Sequence, residues 1–402
     1  MDVTFDALPA ELIPVIARSG RCGRTMLLMR RLCRSCRGAL KAESAALWRH
    51  LADQGGCPLA QCLRWRHAKI GCAYASACYA PSLALSSDGG TILSAGGQTD
   101  KQIAIWSAPF WPPSGRLATI DCPNEVLCVA ADEHDSGLIA AAYYPSSMPS
   151  NLGGRIGVFT RAGDQTITLC GHRDHIADLA LRGDLLVSGG GDAKVKQWSL
   201  SGKQCVATLH DHMMWVGSVA LSADAILSAS GDCTIKVWRI LAPGEPGGPS
   251  GAMLSLKHDT CIQGVAVDAV QGVAAATISG DTARVWSLRT GECYCTIGGS
   301  PPHDKGTFHS VALRGNLLAA GSGDWRIRLW SLACRGGILG LDNGPRPSVL
   351  ISTLACGSGV VGLAISPLGF IVSKARSRSY DRDEYMGDAA RLTVWAPNVV
   401  EM

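Results

Sequence analysis

Residues 180–200 read ALRGDLLVSGGGDAKVKQWSL, residues 220–240 read ALSADAILSASGDCTIKVWRI, and residues 312–332 read ALRGNLLAAGSGDWRIRLWSL. The three segments are 21 residues long and align without a gap. A fourth, AVDAVQGVAAATISGDTARVWSL at 266–288, joins them with small changes of length. Each reads as an apolar strand, a tight Gly-Asp turn, and a second strand alternating apolar and polar residues up to a Trp. Self-similarity at a fixed period marks a fold built from stacked copies of one unit.

The Trp column extends over the chain as Trp106, Trp198, Trp238, Trp286, Trp330 and Trp395, with Phe159 filling the slot after Trp106. These seven anchors lie 39 to 65 residues apart. Repeats of about 40–45 residues with four strands each suit the blades of a β-propeller, and the longer intervals imply loop insertions. The expected fold is all-β with seven blades, although six or eight remain compatible with the spacing. A second column supports the first: His172, His212, His258 and His303 each precede a strand of the V-x-x-V-A kind.

These columns resemble the WD-repeat family, whose blades join His, Ser/Thr, Asp and Trp in a buried hydrogen-bond chain. The resemblance implies the sets His172–Ser188–Asp192–Trp198 and His212–Ser228–Asp232–Trp238. It also implies His258–Thr277–Asp281–Trp286, although there the Asp-to-Trp spacing is one residue shorter. In the sixth repeat Ala320 stands where Ser or Thr belongs, so the chain is expected to be broken beside His303, Asp324 and Trp330. A buried indole N–H needs an acceptor, and a linked polar chain satisfies every member while fixing the blade. Catalytic groups occur once in a chain. Groups that recur at the repeat period are scaffolding.

The end repeats are degenerate. The second lacks the His and the Gly-Asp turn, and the seventh, LACGSGVVGLAISPLGFIVSKA followed by RLTVW, also lacks the His. Only seven residues follow Trp395, too few for an outer strand. The segment CLRWRHAKI (62–70) is expected to supply that strand by pairing with residues around 391–396, since closure removes exposed edges. Four insertions interrupt the pattern. The family layout puts 142–154 and 374–390 on the face of the His loops, and 241–252 and 334–348 on the opposite one.

Residues 1–54 stand outside the repeat, with 55–61 as a linker and 62–402 as the propeller. Leu28, Leu32, Cys36 and Leu40 make an apolar stripe at helical spacing, and Arg30, Arg34, Arg37 and Lys41 a basic one. Leu8-Pro9 with Glu11 looks like a helix start. The ordering of Leu8, Pro9, Glu11, Leu12 and Ile16, then Leu28, Leu32 and Cys33, then Leu47 and Trp48, is similar to the F-box. That short helical module binds the Skp adaptor of cullin–RING ubiquitin ligases. Pro14, inside the first expected helix, departs from helical logic because it removes a hydrogen bond, at about 3 kcal/mol. A short helical extension packed on the propeller is the other reading. Cys33, Cys36, Cys57 and Cys62 have a looser spacing than a zinc knuckle, so no metal or cofactor is expected.

Before a WD-repeat propeller, an F-box-like module resembles the F-box/WD-repeat substrate receptors. That resemblance implies an adaptor rather than an enzyme. The Skp–cullin complex would dock on the helices, and an unknown protein substrate would be held on the propeller face, raising its effective concentration near the transfer machinery. No nucleophile–base pair or phosphate loop argues for chemistry in the chain itself. Some members read phosphorylated peptides through rim arginines. The matching positions here are Gly191, Gly231, Gly280 and Gly323, with Ala177, Gly217, Gln263 and His309 further in, so a phosphate pocket does not carry over. Trp215 and His309, and Arg376, Arg378 and Arg382 in the last insertion, are the candidate partner contacts. The alternative is a WD-repeat scaffold for a complex unrelated to ubiquitin.

Composition agrees with a binding protein of the cytosol or nucleus. The first 70 residues hold twelve Lys/Arg against five Asp/Glu, so in a chain of formal net charge +4 the remainder is net acidic. The basic stripe lacks the interleaved aromatics of single-strand binders, so nucleic acid is not expected as a partner. No apolar run reaches membrane-spanning length, and 17 scattered cysteines read as reduced thiols acting as small apolar fillers.

Overall fold

The computed structural model describes residues 64–74, 83–86, 90–95, 101–107, 116–132, 137–143, 153–242, 251–258, 260–268, 272–278, 282–298, 307–332, 349–356, 359–366, 370–375 and 389–398. These residues form seven four-stranded antiparallel sheets and no helix. The fold is an all-β seven-bladed propeller. The expected helical module at 1–54 lies outside the described residues.

Blade 3 shows the plan. Its inner strand Ile176–Arg182 pairs with Leu185–Gly190, then Val195–Ser199, then the outer strand Gln204–Leu209. Burial falls from inside to outside. The second strands of blades 2, 5 and 6 (Ile139–Tyr143, Val273–Ile278, Leu317–Ser322) are buried throughout, whereas Gln165–Cys170 at the rim of blade 2 is mostly exposed. Second strands are flanked by a neighbouring blade on each face near the crowded axis. That is why they read as runs of small residues, such as Ala140–Ala141–Ala142 and Ala274–Ala275–Ala276, rather than as an alternating pattern.

The core is divided into seven clusters, each shared by two consecutive blades. Trp198 packs with Ile156, Val158 and Leu169 of the blade before it, and Trp238 with Val187 and Val195. Trp286, Trp330, Trp395 and Trp106 do the same at the next four interfaces, and Phe159 at the last. Each anchor therefore bolts its blade to the one preceding it. Between blades 7 and 1, Leu392 and Val394 meet Leu83, Ile92 and Trp106, so the ring is closed.

Closure is made by the strand Arg64–Tyr74, which pairs with Ala389–Asn398 as the outer strand of blade 7. The register runs from Arg64 opposite Asn398 to Tyr74 opposite Ala389, with an irregularity between Lys69 and Gly71. Inner strands run away from the His loops, so third strands do as well, and the antiparallel closing strand runs toward them. Arg64 therefore enters the ring from the face opposite the His loops.

Polar staples between neighbouring blades line that opposite face. The Asp132 carboxylate accepts from Gly183 N at 2.7 Å, and Asp268 accepts from Gly315 N. Arg182 donates to the carbonyls of Ser222 and Ala223. Each such link satisfies a backbone group of the next blade's first turn, which would otherwise need water.

Candidate functional site: the His-loop face

The polar chains of blades 3 and 4 are complete. In blade 3 the Trp198 Nε1–H donates to Ser188 Oγ at 2.8 Å, and Ser188 Oγ lies 2.7 Å from His172 Nε2. His172 Nδ1 is 3.0 Å from both carboxylate oxygens of Asp192. Blade 4 repeats this with Trp238, Ser228, His212 and Asp232 at 2.8, 2.7 and 2.8 Å. One proton arrangement satisfies every member: the serine hydroxyl accepts from Trp and donates to His Nε2, and neutral His donates from Nδ1 to the carboxylate. Burial pushes the His212 ring toward the neutral form, against the pull of Asp232. Burial alone would raise Asp232, but bonds from Thr234 Oγ1, His212 and Met213 N outweigh it and hold the carboxyl low.

Blade 5 corrects the sequence alignment. Thr277 is not the counterpart of Ser188 and does not join the chain. The residue two before Trp198, Lys196, stands opposite Ser188, whereas the residue two before Trp286, Arg284, stands opposite Ala276. The residue missing between Asp281 and Trp286 slips the register by one, and a one-residue slip turns a side chain to the other face of the sheet. Thr277 accordingly faces blade 6, and its Oγ1 makes no hydrogen bond among the described residues. With no hydroxyl between them, His258 and Trp286 approach edge to face at 4.8 Å between ring centroids, closer than the 6.3 and 5.9 Å of blades 3 and 4. Asp281 lies outside the described residues.

Blade 6 has Ala320 in the serine place, and its Asp324 pairs instead with Arg328 at 2.6 Å. The Arg328 guanidinium lies 5.7 Å from the Phe308 ring centre, which in turn meets Trp330 edge to face at 5.8 Å. His303 is outside the described residues. Sequence reading missed two serine–tryptophan bonds, Trp106 Nε1 to Ser94 Oγ at 2.9 Å and Trp395 Nε1 to Ser373 Oγ at 2.8 Å. It also missed that Cys122 and Cys356 take the His place in blades 2 and 7, four residues before the inner strand. Burial pushes the Cys356 thiol up to about 12.

The chains position the exposed loops. In blade 4 the loop 212–215 is held at every residue. Besides His212, Met213 N donates to Asp232 Oδ2 at 3.0 Å, Met214 O accepts from Ser230 Oγ at 3.1 Å, and Trp215 O accepts from Gly231 N at 3.0 Å. Its three side chains point to solvent: Met213 is 89% exposed, Met214 49% and Trp215 38%. The Trp215 indole lies down over two glycines. A Cβ on Gly217 would meet its ring at 2.3 Å, and one on Gly231 would meet Nε1 at 2.6 Å. His175 lies in the same way over Gly191, and His309 lies beside Gly323. Gly191, Gly231 and Gly323, read in the sequence as missing arginines, are the seats of rings, and Gly280 lies outside the described residues. Arg376, Arg378 and Arg382 lie outside the described residues, as do Leu8 to Trp48.

Residues 163–199 and 203–239 match the model of the family described as WD domain, G-beta repeat. The matched segments, which contain the first three strands of blades 3 and 4, are similar to WD repeats. Each match runs from one blade's outer strand into the next, or from the loop before it, so the WD repeat is staggered against the blade, and the stagger leaves one strand for the opposite end of the chain to supply. No curated protein sequence matches the chain. Among solved structures, the chain is similar to one titled "Crystal structure of RRP9 WD40 repeats", with a TM-score of 0.64 and 22% identity over 83% of this chain and 97% of that one. It is also similar to "Structure of U3-55K", with a TM-score of 0.63 and 22% identity over 83% of this chain and 98% of that one. At that identity the likeness is one of WD-propeller fold.

Proposed function

We propose that this chain is a non-catalytic protein-interaction scaffold that holds a protein partner on the His-loop face, with Met213, Met214 and Trp215 as anchoring side chains. One observation carries the reading: a loop anchored by the His212 side chain and tied by backbone at the next three residues presents three large apolar side chains to water. Apolar exposure of that kind marks interaction sites, and a loop already ordered loses little further entropy on binding. Met suits a surface that must fit an irregular partner, and Trp is enriched among residues that dominate binding energy. The test compares proteins co-purified with wild type and with Met213→Asp/Trp215→Ala, both checked for unchanged folding. Identical partner sets would sink the proposal.

The finer reading is a substrate receptor of a Skp–cullin–F-box ligase acting in the cytosol or nucleus. It is favoured by the F-box-like spacing from Leu8 to Trp48 and by the direction of the closing strand. Because Arg64 enters from the opposite face, an adaptor on residues 1–54 and a substrate on the His-loop face would attach at separate places. Purified Skp adaptor is expected to bind the full chain at micromolar affinity or better, and to lose Leu8→Ala/Trp48→Ala. Binding by neither leaves the scaffold without the ligase.

A further inference from the structure

Two thiols meet on the His-loop face between blades 4 and 5. Cys233 follows the turn aspartate Asp232 and has a left-handed backbone, φ 65°. Cys261 stands just before the inner strand Ile262–Asp268, in the place that His175 and Trp215 hold in blades 3 and 4. Their Sγ atoms are 4.0 Å apart, and both lie near the Gly231 carbonyl oxygen, at 3.7 and 3.4 Å. Both side chains are partly exposed. The two loops are also tied by backbone, His258 N donating to Cys233 O at 2.9 Å, so the sulfurs are held as neighbours.

We propose that Cys233 and Cys261 form a dithiol modification site, oxidised to a disulfide between blades 4 and 5 by low-molecular-weight disulfides of the glutathione class. A disulfide needs about 2 Å between sulfurs, so the pair must close by roughly 2 Å, within reach of rotation about two short side chains. The Cys233 S–H is directed at Cys261 Sγ, which is therefore the sulfur taken to attack first. The Cys261 thiolate attacks one sulfur of oxidised glutathione. A protein–glutathione S–S bond forms, the glutathione S–S bond breaks, and one glutathione thiolate leaves. That thiolate takes the Cys233 proton, and the Cys233 sulfur attacks Cys261 Sγ, expelling the second glutathione, which is protonated from water. Two electrons pass from the cysteine pair to oxidised glutathione, leaving two reduced glutathiones.

The pair is coupled to the apolar patch through Gly231. Its carbonyl faces both sulfurs, and the Trp215 indole rests on its α-carbon. Drawing Cys233 toward Cys261 shifts the 231–233 turn and with it the seat of Trp215. The effect on partner capture rests on the patch being the docking surface. The cross-link does not.

The test incubates the full chain in glutathione buffers of increasing oxidised fraction, quenches by alkylation, and maps peptides without reduction. The expected result is a Cys233–Cys261 linkage that dithiothreitol reverses. Cys233→Ser should instead trap a glutathione adduct on Cys261. Separate glutathione adducts on both residues of the wild type would overturn the proposal. So would two thiols that stay free to alkylate while the exposed Cys170, Cys205 and Cys293 react. Oxidation should also change a fluorescence signal that Trp215→Phe removes. A linkage that leaves this signal unmoved overturns the coupling. Failure of Met213→Asp/Trp215→Ala to alter partner capture would count against the docking surface and not against the linkage.

Discussion

Replacing Ser188 by Ala tests the buried polar chain at its centre. Ser188 is fully buried, and its hydroxyl satisfies Trp198 Nε1 at 2.8 Å and His172 Nε2 at 2.7 Å. Alanine leaves both partners buried without a bond, each at about 1–3 kcal/mol, so the substitution should cost about 2–6 kcal/mol. Thr277 provides the control. It is equally buried and hydroxyl-bearing, but its Oγ1 makes no hydrogen bond among the described residues, so Thr277→Ala should cost about 1 kcal/mol for the lost methyl group. Removing the stranded donor should recover part of the loss, making Ser188→Ala about 1–3 kcal/mol milder in a Trp198→Phe background. Urea unfolding at pH 7, followed by circular dichroism with slopes compared, measures all four variants. If Ser188→Ala costs no more than Thr277→Ala, or costs the same with and without Trp198, the hydroxyl is not the hub of the chain.

Asp178 on the inner strand of blade 3 is buried, and although Ser218 Oγ, Val219 N and Leu179 N donate to it, desolvation raises its carboxyl from 3.8 to about 6. A folded pKa above the unfolded one favours the folded state at low pH. The stability of wild type relative to Asp178→Asn should therefore fall by about 3 kcal/mol in denaturant titrations as pH rises from below 4 to above 6, and a parallel pair of profiles would refute this. Asp192 runs the other way. Burial would raise it, but the His172 bond and the backbone donors hold it low, so its stabilising contribution is present above the unfolded pKa near 3.9 and is lost as pH falls through its folded value. Asp192→Asn should flatten that acid limb in thermal melts. Deleting residues 1–75 removes the closing strand and should yield an aggregating chain on size-exclusion chromatography, whereas deleting 1–54 should leave a monodisperse one. Asp232→Ala frees the Met213 amide and His212 and should weaken partner capture although no side chain of the patch is replaced, so retained capture would argue against the pinned loop.

Much of the scaffold was legible because a propeller writes its geometry as a period. Each blade needs one large anchor against its predecessor, so the Trp column marked the blades, and Phe159 was readable as an anchor without an N–H to satisfy. Its register partner region agrees, since Ala141 sits where Ser188 would, and donor and acceptor are lost together. The closing strand was legible because the third strand of the last repeat has an edge that another segment must cover, and residues 64–74 cover it. The rim was read less well. Gly191, Gly231 and Gly323 were noted as lacking arginine, but nothing in a glycine names the ring that lies over it. That depends on the preceding loop, which approaches only after the blade has folded.

The amino-acid sequence determined the all-β repeat, the anchors and the members of the polar chains in blades 3 and 4, and it pointed to the closing strand, because alternation along a strand and recurrence between blades are local properties of the chain. The count of seven and the closed ring came from the structure. Only the tertiary structure decided which way Thr277 faces, since a one-residue difference in a turn is visible in the letters but its sign is set by pairing. It alone put Cys356 in a histidine's place, laid Trp215 over Gly231, and brought Cys233 within 4.0 Å of Cys261. Those contacts join residues from different turns and different blades. Their distances are consequences of how the sheets pack, and packing is a property of the closed ring.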